Sequence, residues 1–157
     1  MKKFIITLSF VIAMALASQS QSYKTGIGIR GGLSNGLTIK HFISSEIALE
    51  GLITARWNGF LLTGLYEKHA QAFGAAGLYW YYGFGAHLGS WNHTYKIDRY
   101  DNYSVIGIDG IIGIEYNITE IPFNISIDYK PGINVLGKPL GMSDEVALSI
   151  RYVFGNR

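Results

Sequence analysis

One set of residues in this sequence could in principle perform catalysis. His87 lies three positions before Ser90, and an acid from a later segment, Glu115 or Asp109, could complete the set. A histidine between a hydroxyl and a carboxylate acts as a general base that activates a nucleophile, which is chemistry that a lipid-processing enzyme would use. Side chains three positions apart point to opposite faces of a regular strand, however. We therefore favour the alternative interpretation, in which His87 belongs to a structural polar interior.

The other sequence motifs are weaker signals of chemistry. The segment Gly26–Gly31 reads G-I-G-I-R-G and matches the glycine pattern of dinucleotide-binding sites. Such a site needs a strand before the glycines and a helix after them, and neither is predicted here. The chain has no cysteine, and its histidines show no zinc-site spacing: they are His41, His69, His87 and His93. We predict no catalytic residue, no cofactor and no metal site.

The composition narrows the class of protein. A length of 157 residues fits one domain. Charged residues make up 15% of the chain, below the usual quarter, whereas glycine (20 residues) and tyrosine (11 residues) are abundant. Few charges and many aromatic residues argue against disorder and against a nucleic-acid partner.

The first residues have the layout of a secretory signal peptide. Lys2 and Lys3 precede an apolar run, Phe4–Leu16, and Ala15-Leu16-Ala17 at its end has the A-x-A pattern of a cleavage site. The run is shorter than the roughly 20 residues that a membrane-spanning helix needs. We expect residues 1–22 to form a signal peptide, cleaved after Ala17 or shortly beyond, and residues 23–157 to form one exported domain.

The exported part alternates between apolar and polar residues. Phe123–Lys130 places phenylalanine, isoleucines and tyrosine on one face and asparagine, serine, aspartate and lysine on the other. Val146–Phe154 repeats this period of two, which is typical of a β-strand. Eight segments are predicted as strands: Tyr23–Arg30, Gly36–Phe42, Glu46–Trp57, Phe60–Glu67, Leu78–Gly89, Ser104–Tyr116, Phe123–Lys130 and Val146–Phe154. Eight strands joined as a meander can close into an antiparallel up-and-down barrel.

The fourth segment and the connections carry less pattern. In Phe60–Glu67 we expect Phe60, Leu62 and Tyr66 on the apolar face, which leaves Leu61 and Leu65 on the other. The longest predicted connections are Lys68–Gly77, Ser90–Tyr103 and Pro131–Ser143. The last two would be long outer loops.

The polar face carries nearly balanced charges, which suits a packed interior of ion pairs. We expect Asp128, for example, to pair with Lys130 or Arg151. The predicted interior network consists of Lys24, Arg30, Lys40, Glu46, Glu50, Arg56, His87, Asp109, Glu115, Asp128, Lys130 and Arg151.

Aromatic residues gather near the predicted strand ends, as in the two girdles of transmembrane barrels. One group is Tyr23, Tyr66, Trp80, Tyr116, Phe123 and Tyr152, and the other is Trp57, Phe60, Tyr103 and Tyr129. These features predict that the apolar face points outward into lipid. A soluble calyx with the apolar face inward, around an apolar ligand, is the alternative.

The C-terminal strand ends in R-Y-V-F at Arg151–Phe154. With its strand pattern, the chain resembles the small eight-stranded bacterial outer-membrane barrels of the OmpA/OmpX-like family from Tyr23 onward. In that family the phenylalanine is commonly last, whereas Gly155, Asn156 and Arg157 follow it here. The resemblance implies a transmembrane barrel in the outer membrane, contact with outer-membrane lipid, and assembly by the barrel assembly machinery through Arg151–Phe154.

The sequence favours a non-enzymatic function. We expect a structural role in membrane integrity, or surface adhesion and binding of an unknown extracellular ligand through the outer loops. A charge-filled interior argues against a general porin. A lipid-modifying barrel enzyme, of the lipid A deacylase or acyltransferase type, is the first alternative, and the soluble calyx is the second.

Overall fold

The computed structural model describes residues 23–56, 59–95, 99–137 and 141–156, so the predicted signal peptide and Trp57 lie outside the described residues. Each strand pairs antiparallel with the next, and β1 pairs with β8 to close the sheet, which confirms the predicted eight-stranded antiparallel up-and-down barrel. No helix in the described part of the chain is long and apolar enough to cross a membrane. The strands are β1 (Tyr23–Gly32), β2 (Asn35–Phe42), β3 (Ile47–Arg56), β4 (Gly59–Gln71), β5 (Leu78–Tyr95), β6 (Arg99–Ile118), β7 (Phe123–Leu136) and β8 (Gly141–Asn156).

The two ends of the barrel differ. We call the end where β1 begins the base; its turns are residues 43–46, 72–77 and 119–122. We call the opposite end the mouth; the connections after β1, β3, β5 and β7 lie there. The β5–β6 hairpin extends furthest at the mouth, since Tyr95 still pairs with Arg99. The neighbouring strands do not reach as far toward the mouth: β4 begins opposite Trp91, and β7 ends opposite Ile106.

The predicted two-faced strands are present, with the apolar face outward. In β7, Ile127 is 50% exposed on the outer surface, whereas Asp128 is 3% exposed and points into the barrel. The outer surface therefore carries the isoleucines and leucines that would fill a soluble core. A calyx needs the opposite arrangement, with the apolar face around its cavity. The weakly patterned β4 follows the predicted phase: Phe60, Leu62 and Tyr66 are exposed, and Leu65 is buried.

Three predicted connections are partly or mostly strand. β4 continues through Lys68 to Gln71, which leaves a turn at residues 72–77. Ser90–Tyr103 is the paired end of the β5–β6 hairpin, and β7 and β8 take up most of Pro131–Ser143. The predicted bounds were wrong there because backbone hydrogen bonds continue a ladder where the apolar alternation has stopped.

Candidate functional site: the polar interior

The interior contains two groups of charged side chains. The first, near the base, comprises Lys40, Glu50, Glu67, His69, Glu115 and Arg151, and we call it the base cluster.

Lys40 on β2 lies at the centre of the base cluster. Its Nζ atom is 3.2 Å from Glu50 Oε2, 2.8 Å from Glu67 Oε2 and 3.5 Å from Glu115 Oε2. The same nitrogen lies 3.9 Å from the ring centroid of Tyr81. All these charged side chains are 0% exposed. A cation buried this deeply is stable only because carboxylates and an aromatic face replace its water.

Arg151 on β8 completes the charge pairing in the base cluster. Its guanidinium forms an ion pair with Glu50. It also donates hydrogen bonds to Thr38 Oγ1 at 3.0 Å, Asn124 Oδ1 at 3.1 Å and Ser126 Oγ at 2.7 Å. Each guanidinium nitrogen therefore has an acceptor, as burial of this group requires.

Aromatic rings close the base side of this cluster. His69 Nε2 lies 3.0 Å from Glu67 Oε2, and its ring stacks on Tyr81 with centroids 4.9 Å apart. Phe42 packs edge-on against His69 at 4.8 Å and against Tyr23 at 5.1 Å. The Tyr23 hydroxyl donates to Glu115 Oε2 at 3.2 Å. The rings separate the charges from the base opening.

The second group lies toward the mouth and comprises Arg30, His87, Asp109, Asp128, Lys130 and Glu145; we call it the mouth cluster. Arg30 donates to both carboxylate oxygens of Asp128, at 2.8 and 2.6 Å. Its Nε atom lies 3.7 Å from Glu145 Oε1. Arg30 and Asp128 belong to strands on either side of β8, which presents the small residues Ala147 and Ser149 between them.

Lys130 and His87 surround Asp109 in the outer part of the mouth cluster. Lys130 Nζ is 3.3 Å from Asp109 Oδ1 and 3.5 Å from Glu145 Oε2. His87 Nδ1 is 2.7 Å from Asp109 Oδ2, and His87 Nε2 is 2.8 Å from Asn134 Oδ1. A cavity of about 50 Å³ adjoins these groups, with room for one or a few waters. Ser34, Thr54 and Ser143 also line it.

Tyr81 connects the two clusters. Its ring faces Lys40, and its hydroxyl donates to Asp128 Oδ2 at 3.0 Å. Glycine leaves room for this ring, since a Cβ on Gly113 would lie 2.6 Å from Tyr81 Cζ. The polar interior is thus continuous from the base to the mouth.

Comparison with known proteins identifies the fold. The crystal structure of the N-terminal β-barrel domain of OprF from Pseudomonas aeruginosa superposes with a TM-score of 0.66 and 16% sequence identity, over 86% of this chain and 98% of that chain. The chain has the OmpA-like barrel fold. No protein-family model and no curated protein sequence matches it. At this identity the similarity concerns the fold, and it confirms the fold that the resemblance implied.

The OmpA-like fold brings most of the predicted interior residues into the two clusters. Two predicted members lie elsewhere. Lys24 is exposed at the base rim, where Tyr23 occupies the interior instead. Glu46 lies in the turn before β3, 3.9 Å from Lys68, and both side chains are more than half exposed. The side chain of Arg56 lies outside the described residues. The predicted members found buried inside are Arg30, Lys40, Glu50, His87, Asp109, Glu115, Asp128, Lys130 and Arg151.

Several interior residues were missed from the sequence. Glu67 was placed at a strand end and His69 in a connection, although the odd-numbered positions of β4 run inward through both. Extending the alternation by one step past Glu67 would have found His69. Glu145 was likewise missed, because the predicted last strand began only at Val146 and the alternation was not extended one residue before it. Tyr23 was predicted to face outward, but its hydroxyl bonds Glu115 and its ring packs on Phe42, so it points inward.

The structure also places the residues of the catalytic hypothesis. His87 and Asp109 are together in the mouth cluster, whereas Glu115 lies in the base cluster beside Lys40. Ser90 occupies an outward position of β5, between Phe60 and Ser104 on the neighbouring strands. His87 thus has an acid partner, and its second ring nitrogen contacts an amide oxygen of Asn134.

Proposed function

We propose that this protein is a transmembrane barrel of a bacterial outer membrane with a non-enzymatic structural or surface-interaction role. The observation that carries the proposal is the inverted distribution of side chains. Two clusters of paired charges lie in the interior beside a small apolar cluster, while large apolar side chains cover the outer surface of every strand. Water-soluble monomers rarely expose apolar patches larger than a few hundred Å². Hydrocarbon is the environment in which this surface is stable.

The dimensions of the wall support the same environment. Phe60 and Ala70 mark the ends of the outward row on β4, ten residue steps apart, and its one charged member, Lys68, lies two residues from the base end beside Glu46. With a rise of about 3.3 Å per residue and a tilt of about 40°, this row is about 25 Å high. A lipid-facing band of about 25 Å is typical of outer-membrane barrels. Exposed aromatic residues lie at both ends of this height, with Trp80 and Tyr116 toward the base and Phe60 and Tyr129 toward the mouth.

A closed barrel also meets the backbone requirement of a membrane. In hydrocarbon every backbone amide and carbonyl must find a partner within the protein, which closed barrels provide. The β1–β8 ladder runs from Tyr23 to Gly32 and removes the free edges of the sheet. With an exported N terminus, the base would face the periplasm and the mouth the exterior. Insertion would use the barrel assembly machinery, with Arg151–Phe154 as the recognised segment and outer-membrane lipid around the wall.

The proposed interaction surface is the β5–β6 hairpin. It extends past the ends of β4 and β7, and its last described pair, Tyr95 with Arg99, stands furthest out at the mouth. An extracellular ligand would meet this hairpin first. The interior supports a role other than transport, since Tyr23, Phe42 and the base cluster occupy the passage near the base.

Cell fractionation with a gel-shift assay tests the proposal. We expect the mature protein in the outer-membrane fraction, and we expect boiled and unboiled samples to migrate differently in detergent gels because the closed barrel resists unfolding. Recovery as a soluble periplasmic monomer would overturn the proposal.

A lipid-modifying enzyme is the second candidate, favoured by one observation. The His87–Asp109 pair lies beside the mouth cavity, and Ser143 contributes to the lining of that cavity. We expect purified protein to leave phospholipid and lipid A acyl chains intact. Acyl release that is lost in both His87→Ala and Ser143→Ala would replace the non-enzymatic proposal with this candidate, and Ser90→Ala serves as the outward-facing control.

A further inference from the structure

The β4–β5 turn at the base has an unusual design. Its sequence is A-F-G-A-A-G, residues 72–77. Ala72 donates its amide to Leu78 O at 2.9 Å, and Ala75 donates to Ala72 O at 3.0 Å. The Gln71 side chain adds a hydrogen bond to Ala75 O at 3.2 Å. The turn is therefore held in one shape by its own hydrogen bonds.

That shape presents a single large apolar side chain. Phe73 is 93% exposed, the highest value among the exposed large hydrophobic residues of the described chain. Its φ angle is +52°, and among the described residues no other non-glycine residue has a positive φ. A β-carbon is unfavourable in this left-handed region. Phe73 thus costs backbone strain and is not buried among the described residues of the barrel, so its ring is available for a contact outside the barrel.

The position of Phe73 along the barrel axis indicates what surrounds its ring. Trp80 is the exposed aromatic residue nearest the base on β5, and it pairs with Ala70 on β4, two residues past the exposed Lys68. Phe73 follows Ala70 by three residues, which at the same rise and tilt is at most about 8 Å. The polar headgroup layer on each side of a bilayer is about 5–8 Å thick. Phe73 therefore lies at headgroup level and short of bulk water.

The surface around Phe73 has matching chemistry. Trp80 and Tyr82 stack on the wall near this turn, with ring centroids 5.3 Å apart. The other two base turns each expose an isoleucine, Ile43 and Ile121. Aromatic rings at the membrane–water boundary favour this layer over both hydrocarbon and water. Exposed apolar side chains therefore reach the base turns beside Trp80, although the exposed charges of Glu46 and Lys68 lie at the same rim.

We infer that Phe73 is an interfacial anchor that inserts into the headgroup layer of the periplasmic leaflet and fixes the depth of the base. This inference rests on the proposed membrane function. The lipid layer is the occupant because β5, which follows the turn, begins with the exposed and stacked aromatic residues Trp80 and Tyr82 of the wall. A periplasmic protein docked on Phe73 is the outcome that would contradict it.

Spin labels on single cysteines test the anchor, because the chain has no native cysteine. Labels at Phe73→Cys, Ile127→Cys and Glu120→Cys are compared in phosphatidylcholine vesicles by their collision rates with oxygen and with a water-soluble nickel complex. We expect hydrocarbon behaviour at Ile127, intermediate depth at Phe73 and full nickel access at Glu120, an exposed residue of another base turn. Nickel access at Phe73 equal to that at Glu120 would overturn the anchor. Nickel access at Ile127 as well would overturn the membrane proposal itself.

Whether one substitution raises or lowers the stability of the protein in vesicles gives an independent test. Asparagine tolerates a positive φ, so Phe73→Asn relieves the backbone strain and removes the apolar ring. If Phe73 contacts only water, the variant should resist urea better than the native protein in vesicles. We expect the opposite, a lower urea midpoint in vesicles, because loss of the interfacial contact outweighs relief of strain. A higher midpoint would contradict the inference.

Discussion

The base and mouth clusters contain the same inventory of charges in different surroundings. Each has three carboxylates, two permanent cations and one histidine among the described residues. In the base cluster every charged partner of Lys40 is 0% exposed, and Tyr23 and Phe42 close the end. In the mouth cluster Lys130 and Glu145 keep 8% and 9% side-chain exposure, and a cavity of about 50 Å³ adjoins them.

The difference shows how access of water decides what an ion pair contributes. Without water, a charge that loses its partner has no other means of solvation. Removing one member of the base cluster should therefore destabilise the whole cluster. At Lys130 and Glu145 in the mouth cluster, water can replace a lost partner at modest cost. The base cluster is therefore suited to holding the barrel together, and the mouth cluster can change its contacts.

The largest effect should come from breaking the base cluster. Lys40→Met removes the cation between Glu50, Glu67 and Glu115; Glu50 keeps Arg151, but Glu67 and Glu115 lose their permanent cation. We expect a loss of about 3–5 kcal/mol in the free energy of unfolding, which is typical when one partner of a buried pair is removed. Urea unfolding from lipid vesicles measures it. Lys24→Met, at the exposed base rim, is the matched control; an equal loss in both variants would show that burial of Lys40 is unimportant.

A lysine on the other side of the wall sharpens the contrast between interior and exterior. Ile127 points outward beside inward-facing Asp128. We expect Ile127→Lys to cost about 2–4 kcal/mol in the same assay, the usual range for a cation at mid-depth on a lipid-facing strand. Ile127→Leu should be nearly neutral. A neutral Ile127→Lys would mean that this face meets water.

A matched substitution in the mouth cluster should have a smaller effect. Lys130→Met leaves Asp109 with His87, and leaves Glu145 with Arg30 and the Ser34 hydroxyl. We expect a loss of about 1–3 kcal/mol, the range for removing a hydrogen bond to a charged group where other partners remain. If Lys130→Met costs as much as Lys40→Met, the two clusters do not differ in the way proposed here.

The smallest effect is expected in ion conduction. The charges pair with one another and rings close the base, so planar-bilayer recordings of the native protein should show no large, steady channel. Lys130→Met should leave that baseline unchanged, because the base remains closed. A stable pore that passes sugars would show that the charged residues line water.

The alternation of apolar and polar residues in the sequence was sufficient to predict the barrel and to predict which face of the sheet most residues occupy. The inward positions of Lys40, Glu50, Asp109 and Arg151 follow from parity alone, because every second residue of a strand points the same way. Parity fails at strand ends. Tyr23 turns inward because a buried hydroxyl partner and a ring contact are available there, and these depend on β2 and β6.

Which charged residues pair with each other could not be predicted from the sequence. Asp128 was expected to pair with Lys130 or Arg151, which are close in sequence or similar in strand position. It pairs instead with Arg30, 98 residues away. The partner depends on the register of β1 on β8 and of β8 on β7, and on the small side chains of β8 that let Arg30 reach across. Periodicity contains no information on that register.

The seam between β1 and β8 has a consequence for how the barrel forms. The pairs Arg30–Asp128, Arg30–Glu145 and Arg151–Glu50 all join the first three strands to the last two, over 98 residues or more. Before β1 pairs with β8, these charges have no partners, and the backbone amides on the free edges of β1 and β8 are unpaired. An open sheet in lipid would expose both, at a cost of several kcal/mol for each unsatisfied group. If the barrel inserts into a membrane as proposed, we therefore expect insertion and closure of the β1–β8 ladder to be coupled, since a half-inserted open sheet would be high in energy.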